Sequence, residues 1–228
     1  MHIGGFQKMT MLDFPGKVAC TIFTYGCNFR CPFCHNASLV TDAPEFFSED
    51  EVLSYLSKRA GILDGVCISG GEPLLQKDIF EFIKKVKDKG LLVKLDTNGA
   101  FPDKLKYAID EGLVDYVAMD IKNSKEKYGS TVGVDDFDIT PIEKSVEILL
   151  SGKIDFEFRT TITRELHTED DIRKIVSWIK GAPKYFLQNF ENTGNLIKDG
   201  FHAHDIDTLK GFEKLLEGNF SQIGVRGI

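Results

Sequence analysis

The sequence has no long apolar run, no excess of basic charge and few cysteines. None of its apolar runs approaches the roughly 18 residues that a membrane-spanning helix needs, and its first residues lack the charged and apolar regions of a signal peptide. The 35 acidic and 28 basic side chains give a net charge of −7, whereas a nucleic-acid-binding protein usually presents a basic face. We therefore expect a cytoplasmic protein that binds neither a membrane nor a nucleic acid.

The few cysteines are grouped. The chain has five of them, an odd number, and Cys27, Cys31 and Cys34 lie within a single eight-residue segment. This grouping fits a metal site in a reducing compartment better than a disulfide framework. Cys20 and Cys67 lie inside apolar runs, so we expect them to be buried and chemically inert.

Length and composition bound the size of the fold. The chain has 228 residues, 42% of them hydrophobic, and can bury one substantial core. No segment has the composition of a linker between domains. We predict a single domain over residues 1–228, with a core at about 17–190 and a C-terminal helix and short tail over 191–228.

Apolar runs alternate with amphipathic stretches in a repeated βα pattern. Strands are predicted at Val18–Thr24, Gly65–Ser69, Leu91–Asp96, Asp115–Asp120, Asp155–Ile162 and Tyr185–Phe190. The connecting helices are predicted to begin near Ser48, Gln76, Pro102, Pro141 and Thr168. Each connection is long enough for a right-handed crossover, so the strands should be parallel.

Six βα units do not complete an eight-stranded barrel, and the apolar run 220–225 adds at most one short edge strand. We therefore predict an α/β fold, an open partial (β/α)6 barrel of the TIM type. Its side opening is wide enough to admit a loop of a macromolecule. In barrels of this kind the carboxyl ends of the strands carry the chemistry.

The segment Gly26-Cys-Asn-Phe-Arg-Cys-Pro-Phe-Cys-His35 has its three cysteines at CxxxCxxC spacing. A 4Fe-4S cube usually takes four cysteines, so a cube held by three leaves one iron open to a small molecule. A structural zinc site is the alternative, but it normally needs a fourth Cys or His. His35 directly follows Cys34, and adjacent residues seldom ligate one zinc. The spacing therefore favours a cluster.

Polar motifs follow three of the predicted strands. Gly70-Gly-Glu-Pro73 follows the second strand, Asp96-Thr97 the third, and Asp120-Ile-Lys122 the fourth. Because the carboxyl ends of parallel strands meet at one edge, these groups should share one rim. Taken alone, Gly-Gly-Glu-Pro is equally a tight turn, and the two aspartates are equally caps of the turns that follow them.

Together these motifs resemble the radical S-adenosylmethionine superfamily, through the cysteine loop with the aromatic Phe33 before its last cysteine and through the Gly-Gly-Glu-Pro segment. Asp96-Thr-Asn-Gly99 and Asp120-Ile-Lys122 are similar to motifs of the short activases of glycyl radical enzymes. Within that group the chain is most similar to activating proteins of anaerobic ribonucleoside-triphosphate reductase. That similarity lies in Gly5-Phe-Gln-Lys8, Asp13-Phe-Pro-Gly-Lys17, Asp64-Gly-Val-Cys-Ile-Ser-Gly-Gly71, Lys94-Leu-Asp-Thr-Asn98 and Phe158-Arg-Thr-Thr161.

The resemblance implies a 4Fe-4S cluster on Cys27, Cys31 and Cys34, whose open iron chelates the amino and carboxylate groups of S-adenosylmethionine. Electron transfer then breaks a carbon–sulfur bond of the cofactor and releases a 5'-deoxyadenosyl radical. That radical abstracts a hydrogen atom, so the protein mainly positions the reactants and excludes water.

The resemblance also implies which residues bind the cofactor. Gly70, Gly71, Glu72 and Pro73 would form the site of the methionyl amine. Lys122 would pair with the methionyl carboxylate, and Asp120 with a ribose hydroxyl or a cation. Phe33 and His35 would contact the adenine end.

Two further residues are implied at the ends of the last predicted strands. Arg159 is a candidate for binding the methionyl carboxylate or the backbone of the substrate. Gln188 stands where the activase of pyruvate formate-lyase has a histidine that touches the cofactor. This departure favours the subgroup that acts on the reductase.

A monovalent cation is the third implied ligand. In the pyruvate formate-lyase activase such a cation lies close to the cofactor, held by groups that match Asp96, Thr97, the carbonyl of Ala118, and Asp120. Two carboxylates at adjacent strand ends favour a cation, because unpaired like charges would repel each other.

The partners follow from the same resemblance. We expect a glycyl radical enzyme, in the first place anaerobic ribonucleotide reductase, and an electron donor of the flavodoxin or ferredoxin type. Pyruvate formate-lyase or another glycyl radical enzyme is one alternative. A non-catalytic zinc or iron–sulfur module for protein recognition is another, from a different class.

His202 and His204 suggest a second metal site, but we expect surface histidines there.

Overall fold

The strands of the computed structural model, which describes residues 1–41, 45–192 and 194–227, form one sheet in chain order. In the described residues the sheet has eight strands, β1 (Ile3–Thr10), β2 (Ala19–Thr24), β3 (Gly65–Gly70), β4 (Leu92–Thr97), β5 (Tyr116–Asp120), β6 (Asp155–Ile162), β7 (Lys184–Asn189) and β8 (Gln222–Arg226). From β2 to β8 all neighbours are parallel, and β1 runs antiparallel to β2. The sheet is not closed, because β1 and β8 form its two edges.

Helices connect the parallel strands, as right-handed crossovers require. They are α1 (Glu49–Lys58), α2 (Ile79–Lys87), α3 (Pro102–Asp110), α4 (Tyr128–Val132), α5 (Thr140–Leu150), α6 (Glu169–Trp178) and α7 (Ile206–Leu216). Ser48 caps α1, and Thr168 with Asp171 forms a complete capping box at α6. In the described part of the chain, no helix is long and apolar enough to cross a membrane.

Most apolar side chains of the helices and strands pack into one large core, and Phe14, Ala19 and Tyr116 form a small second cluster. In β2, for example, five of six residues are buried, which agrees with a strand covered on both sides. Inward-facing positions of the strands carry polar groups near the carboxyl edge. Lys94 and Asp96 are two residues apart on β4 and therefore share a face.

The predicted partial barrel is confirmed, with one correction. The six predicted strands correspond to β2 to β7, and the run at 220–225 forms the edge strand β8. The sequence reasoning was wrong in placing the first strand at 18–24, because β1 precedes it. β1 contains two glycines and the polar pair Gln7-Lys8, so it shows neither regular alternation nor an apolar run.

The start of one helix also differs from the prediction. A short 3₁₀ turn at Pro73–Leu75 precedes α2, so α2 begins at Ile79 instead of near Gln76. The predicted C-terminal helix is α7. The single-domain organisation over residues 1–228 stays a prediction.

Candidate functional site

A cavity of about 390 Å³ opens at the carboxyl ends of strands β2 to β7. The structure brings together most of the residues predicted for the site. The cavity is lined by Cys27, Cys31, Phe33, Cys34, His35, Gly70, Gly71, Asp96, Thr97, Asp120, Lys122, Arg159 and Gln188. Glu72 and Pro73 are the two predicted site residues that lie behind this wall, both buried.

Backbone hydrogen bonds hold the cysteine loop between β2 and α1. The N–H of Phe29 donates to Cys27 Sγ at 3.4 Å, and the N–H of Arg30 donates to the carbonyl of Val132 at 2.8 Å. The Arg30 guanidinium also donates to the carbonyl of Cys27 at 2.7 Å. These contacts fix the loop against α4 with its thiols toward the cavity.

Burial raises the pKa of the Cys27 thiol to about 11 and that of the Cys31 thiol to about 12. Only a thiolate ligates a metal, so metal binding here would release protons. Lys122 favours the thiolate of both cysteines by its charge.

Gly70 and Gly71 connect the Gly-Gly-Glu-Pro segment to the cysteine loop. A Cβ on Gly70, whose φ is +114°, would lie 2.3 Å from the backbone nitrogen of Thr24. A Cβ on Gly71 would lie 2.0 Å from the carbonyl oxygen of Gly26. Glycine is required at both positions because this backbone packs directly on the chain that enters the cysteine loop. Hydrogen bonds from Gly71 N–H to Thr24 and from Glu72 N–H to Gly26, both 2.9 Å, join the two segments.

Glu72 is fully buried, and its carboxylate braces the loop after β4. Oε1 accepts from Thr97 Oγ1 at 2.9 Å and from the N–H of Leu74 at 3.0 Å, while Oε2 accepts from the N–H of Asn98 at 2.7 Å. Burial raises the pKa of Glu72 to about 7, although these donors oppose the shift. Its contact with a methionyl ammonium stays a prediction, and it would require one of these hydrogen bonds to be exchanged.

Five side chains of alternating charge form a continuous row along the rim, which we call the charge row: Lys94, Asp96, Arg159, Asp120 and Lys122. Lys94 pairs with Asp96. Arg159 bridges the two aspartates, with Nη1 3.3 Å from Asp96 Oδ2 and Nε 3.0 Å from Asp120 Oδ1. Lys122 Nζ lies 3.0 Å from Asp120 Oδ2.

Electrostatics favour the ionised forms of Asp96, Asp120, Lys122 and Arg159 in the charge row. Burial by itself raises the pKa of Asp96 and Asp120, but the neighbouring cations outweigh it and hold both pKa values below their usual range. Burial likewise opposes the charge of Lys122 and Arg159, yet the aspartates raise the pKa of both. The row carries one net positive charge, so it favours a ligand with an anionic group.

The charge row also bears on the predicted cation. That prediction rested on the family resemblance and, in support, on repulsion between Asp96 and Asp120. The structure already relieves this repulsion with Lys94, Arg159 and Lys122. The cation at Asp96, Thr97 and Asp120 stays a prediction.

His167 supports the cavity from behind Phe33, and sequence reasoning missed it because no motif marks it. The N–H of Thr163 donates to His167 Nδ1 at 3.1 Å, so Nε2 carries the proton and donates to the carbonyl of Lys122 at 2.9 Å. Burial lowers the pKa of His167 to about 4. The ring of Phe33 packs edge-on against His167 and tilted against Phe201.

The remaining predicted residues lie on the cavity wall at both ends of the sheet. Thr161 Oγ1 lies 3.5 Å from Gln188 Oε1 across β6 and β7. His35 closes the cysteine loop, and burial, together with the charge of Lys122, lowers its pKa. The wall also includes Asp13, Ser69, Asn98 and Ile197, to which sequence reasoning gave no cofactor-binding role. Asn98 lies inside the quoted Asp-Thr-Asn-Gly motif, which was the available signal.

The three cysteine thiols fit a 4Fe-4S cluster better than a single metal ion. Within 1–41, 45–192 and 194–227, no three side chains of His, Cys, Asp or Glu lie close enough together to hold a single metal ion. A 4Fe-4S cube differs from a single ion because each cysteine ligates its own iron. Three thiols on the wall of one polar cavity match that requirement.

The two histidines of the polar stretch after β7 differ from each other. His202 is exposed and pairs with Glu165 Oε1 at 2.8 Å, as a surface histidine does. His204 is half-buried, packs edge-on against Phe212, and its Nε2 is buried without a hydrogen-bond partner. The expectation of two surface histidines is therefore wrong for His204.

An open, mostly parallel sheet, with three thiols and a row of paired charges at its carboxyl edge, defines an α/β enzyme of the partial-barrel class with a metal-cluster site. The family model of the radical SAM superfamily matches residues 21–179. The chain belongs to this superfamily and is a radical SAM enzyme, whose cofactors are S-adenosylmethionine and a 4Fe-4S cluster.

Curated relatives differ in the reactions that their names describe. A protein of Methanocaldococcus jannaschii, provisionally named a glycyl-radical enzyme activating enzyme, is 34% identical over 193 residues, which cover 83% of this chain and 80% of that protein. A provisionally named GTP 3',8-cyclase of Sulfurisphaera tokodaii is 28% identical over 210 residues, covering 89% of this chain and 64% of the cyclase.

Solved structures share the fold. Streptococcus suis SuiB bound to S-adenosylmethionine superposes with a TM-score of 0.71 at 14% identity, covering 90% of this chain and 49% of SuiB. At that identity the likeness shows the fold alone.

Proposed function

We propose that this protein is an activase that installs a glycyl radical on a partner enzyme, with anaerobic ribonucleoside-triphosphate reductase as the partner. Cys27, Cys31 and Cys34 would hold the 4Fe-4S cluster. The observation that carries the proposal is that three thiols share one cavity with Asp96, Asp120, Lys122 and Arg159 of the charge row. The name of the Methanocaldococcus jannaschii relative, with its 80% coverage, supports the activase class.

The charge row would orient the cofactor. When bound, the cluster would pass one electron from an external donor to S-adenosylmethionine, and the pair would supply the chemistry of hydrogen-atom abstraction from a glycine of the partner. Lys122 and Arg159 would bind the methionyl carboxylate, because each is held in place by Asp120 and carries a stable positive charge. Asp120 would accept a hydrogen bond from a ribose hydroxyl.

The other end of the cavity would hold the adenine. Phe33 and His35 line the cavity, and its lining also includes the apolar Val40 and Ile197. Phe33 is held against His167, which fixes its ring. Gln188 would contact the cofactor from β7. A preformed wall of this kind positions reactants and excludes water.

The test has two stages, both anaerobic. The protein is reconstituted with iron and sulfide, and is then reduced with dithionite in the presence of S-adenosylmethionine. We expect an EPR signal of the cluster that changes when the cofactor is added, and the formation of methionine and 5'-deoxyadenosine. In the second stage, addition of the reductase should give the EPR doublet of a glycyl radical on the reductase and not on pyruvate formate-lyase.

Each result distinguishes the alternatives. A radical on pyruvate formate-lyase or on another glycyl radical enzyme would support the activase function but contradict the proposed partner. A colourless protein that carries stoichiometric zinc would favour the non-catalytic binding module. In the cell, a reduced flavodoxin or ferredoxin would replace dithionite as the electron donor. The yield of 5'-deoxyadenosine with each of these two proteins as the donor would test this prediction.

A second candidate function is a radical reaction on a nucleotide, favoured by the similarity to the provisionally named GTP 3',8-cyclase over 89% of this chain. That relative extends well beyond the matched segment, since only 64% of it is covered. Reaction mixtures with GTP in place of a partner enzyme would distinguish the two. Formation of 5'-deoxyadenosine that depends on GTP and consumes it would favour the nucleotide reaction.

A further inference from the structure

Asn98 joins the loop after β4 to the cysteine loop, and the proposed function gives its side chain no role. Asn98 is 5% exposed. Its Nδ2 donates to Asn28 Oδ1 at 2.9 Å and lies 3.8 Å from Cys27 Sγ, within range of a hydrogen bond to sulfur. Its Oδ1 accepts from the N–H of Ala100 at 3.0 Å. With the oxygen engaged by a donor, the amide nitrogen is the atom that faces the sulfur.

The backbone of Asn98 is held as firmly as its side chain. Its N–H donates to Glu72 Oε2 at 2.7 Å, and the preceding Thr97 donates to Glu72 Oε1 at 2.9 Å. The N–H of Glu72 in turn donates to the carbonyl of Gly26, the residue before Cys27. Glu72 therefore fixes both partners of the contact between Asn98 and Cys27.

We propose that Asn98 is a positioning residue, held by Glu72, whose amide donates a hydrogen bond to the sulfur of Cys27 when that sulfur ligates the cluster. Hydrogen bonds to ligand sulfurs are among the factors that set the reduction potential of an iron–sulfur cluster. A donor stabilises the added negative charge of the reduced form, so Asn98 makes the cluster easier to reduce. The inference rests on the proposed cluster at the three cysteines.

The measurement is the midpoint potential of the reconstituted cluster without S-adenosylmethionine, from a redox titration followed by EPR. Asn98→Ser keeps an oxygen for the N–H of Ala100 and removes the amide donor. We expect the ratio of reduced to oxidised cluster at a fixed potential to fall about tenfold, which for a one-electron couple is a shift of 59 mV to more negative potential.

Asn123 offers a matched control. It is also buried, with Oδ1 accepting from the N–H of Ser124 and Nδ2 donating to Thr131 Oγ1 and to the carbonyl of Leu166, so its amide contacts no cysteine. Asn123→Ser should leave the midpoint potential unchanged. If Asn98→Ser does not assemble a cluster, the midpoint potential of Asn98→Ala is compared with that of wild type in samples of equal iron content.

The outcomes separate this inference from the proposed function. A wild-type protein that builds no reducible cluster would overturn the proposed function. A cluster that forms in both proteins, with equal midpoint potentials in wild type and in Asn98→Ser, would overturn the role of Asn98 alone. A merely structural role would lower iron content or stability without moving the potential of the clusters that remain.

Discussion

Asp120 and Arg159 stand opposite each other in the register of β5 and β6, and Arg159 Nε lies 3.0 Å from Asp120 Oδ1. This pairing joins two neighbouring strands at the cavity, since both side chains line it. Because Arg159 also reaches Asp96, one guanidinium sets the positions of two carboxylates. The site therefore has its charged groups arranged by the sheet itself.

Replacement of Arg159 by Met should destabilise the fold by about 3 kcal/mol, because removal of the shared cation from a buried ion-pair network leaves each aspartate with a single lysine partner. Arg159 is 12% exposed, and Asp96 and Asp120 both lose their shared cation. Urea unfolding measures the effect. The control is Arg173→Met, which removes an exposed pair with Glu169 and should cost about 0.5 kcal/mol or less. Equal losses in the two variants would contradict the prediction.

Replacement of Cys31 by Ala should abolish the cluster. Cys31 is buried on the cavity wall, and a cube held by only two cysteines would have too few protein ligands. Iron and sulfide content after anaerobic reconstitution should fall close to zero, with loss of visible absorbance. Cys20→Ala is the matched control, because Cys20 is fully buried in β2 and outside the cavity wall. If Cys31→Ala retained iron at the wild-type level, Cys31 would not be a ligand of the cluster.

Replacement of Gly71 by Ala should destabilise the protein by about 1–3 kcal/mol, the usual cost of forcing extra atoms into a packed site. The new Cβ would lie 2.0 Å from the carbonyl oxygen of Gly26, a backbone atom that cannot rotate away. Thermal unfolding measures the change, and slower cluster assembly should accompany it because Gly26 precedes Cys27.

Gly211→Ala is the control for that substitution. Gly211 lies inside α7, and a Cβ there meets nothing within 4 Å. Alanine should therefore stabilise the protein, by about 0.5–1 kcal/mol. A stabilising effect of both substitutions would show that the backbone contact at Gly71 is looser than the structure indicates.

His167 should make stability depend on pH in the acid range. Burial lowers the pKa of His167 in the folded protein from 6.5 to about 4. Between these pH values the unfolded chain therefore binds a proton at His167 and the folded protein does not. The neutral ring therefore contributes stability above pH 6.5, and this contribution is lost as the pH falls from 6.5 to 4, by about 3 kcal/mol in total. Chemical unfolding of wild type and of His167→Gln across this range measures it.

The difference between those two proteins isolates His167 from the other titrating groups. Wild type should lose stability relative to His167→Gln as the pH falls. His202→Gln serves as the control, because His202 is exposed on the surface and pairs only with Glu165 there. A constant difference between wild type and His167→Gln from pH 6.5 to 4 would contradict the buried neutral state.

Sequence reasoning found the parts of the fold and site that local patterns encode. The strands β2 to β7 carry apolar runs that alternate with helical periodicity, and the spacing of Cys27, Cys31 and Cys34 is itself a chemical signature. It missed β1, whose glycines and polar residues become a strand only through pairing with β2. It also expected two surface histidines, whereas the imidazole of His204 lies against Phe212.

Amino-acid order by itself determined the βα repeat, the cysteine spacing and the polar residues at each strand end, because all three depend on neighbours along the chain. Only the tertiary structure decided which of those polar groups face one another. Arg159 between Asp96 and Asp120, and Asn98 beside Cys27, are contacts across more than 30 residues of chain. Such contacts depend on strand register and on burial, which no local pattern specifies. For the same reason Glu72, in a motif that suggested ligand binding, turned out to brace the loop behind the cavity.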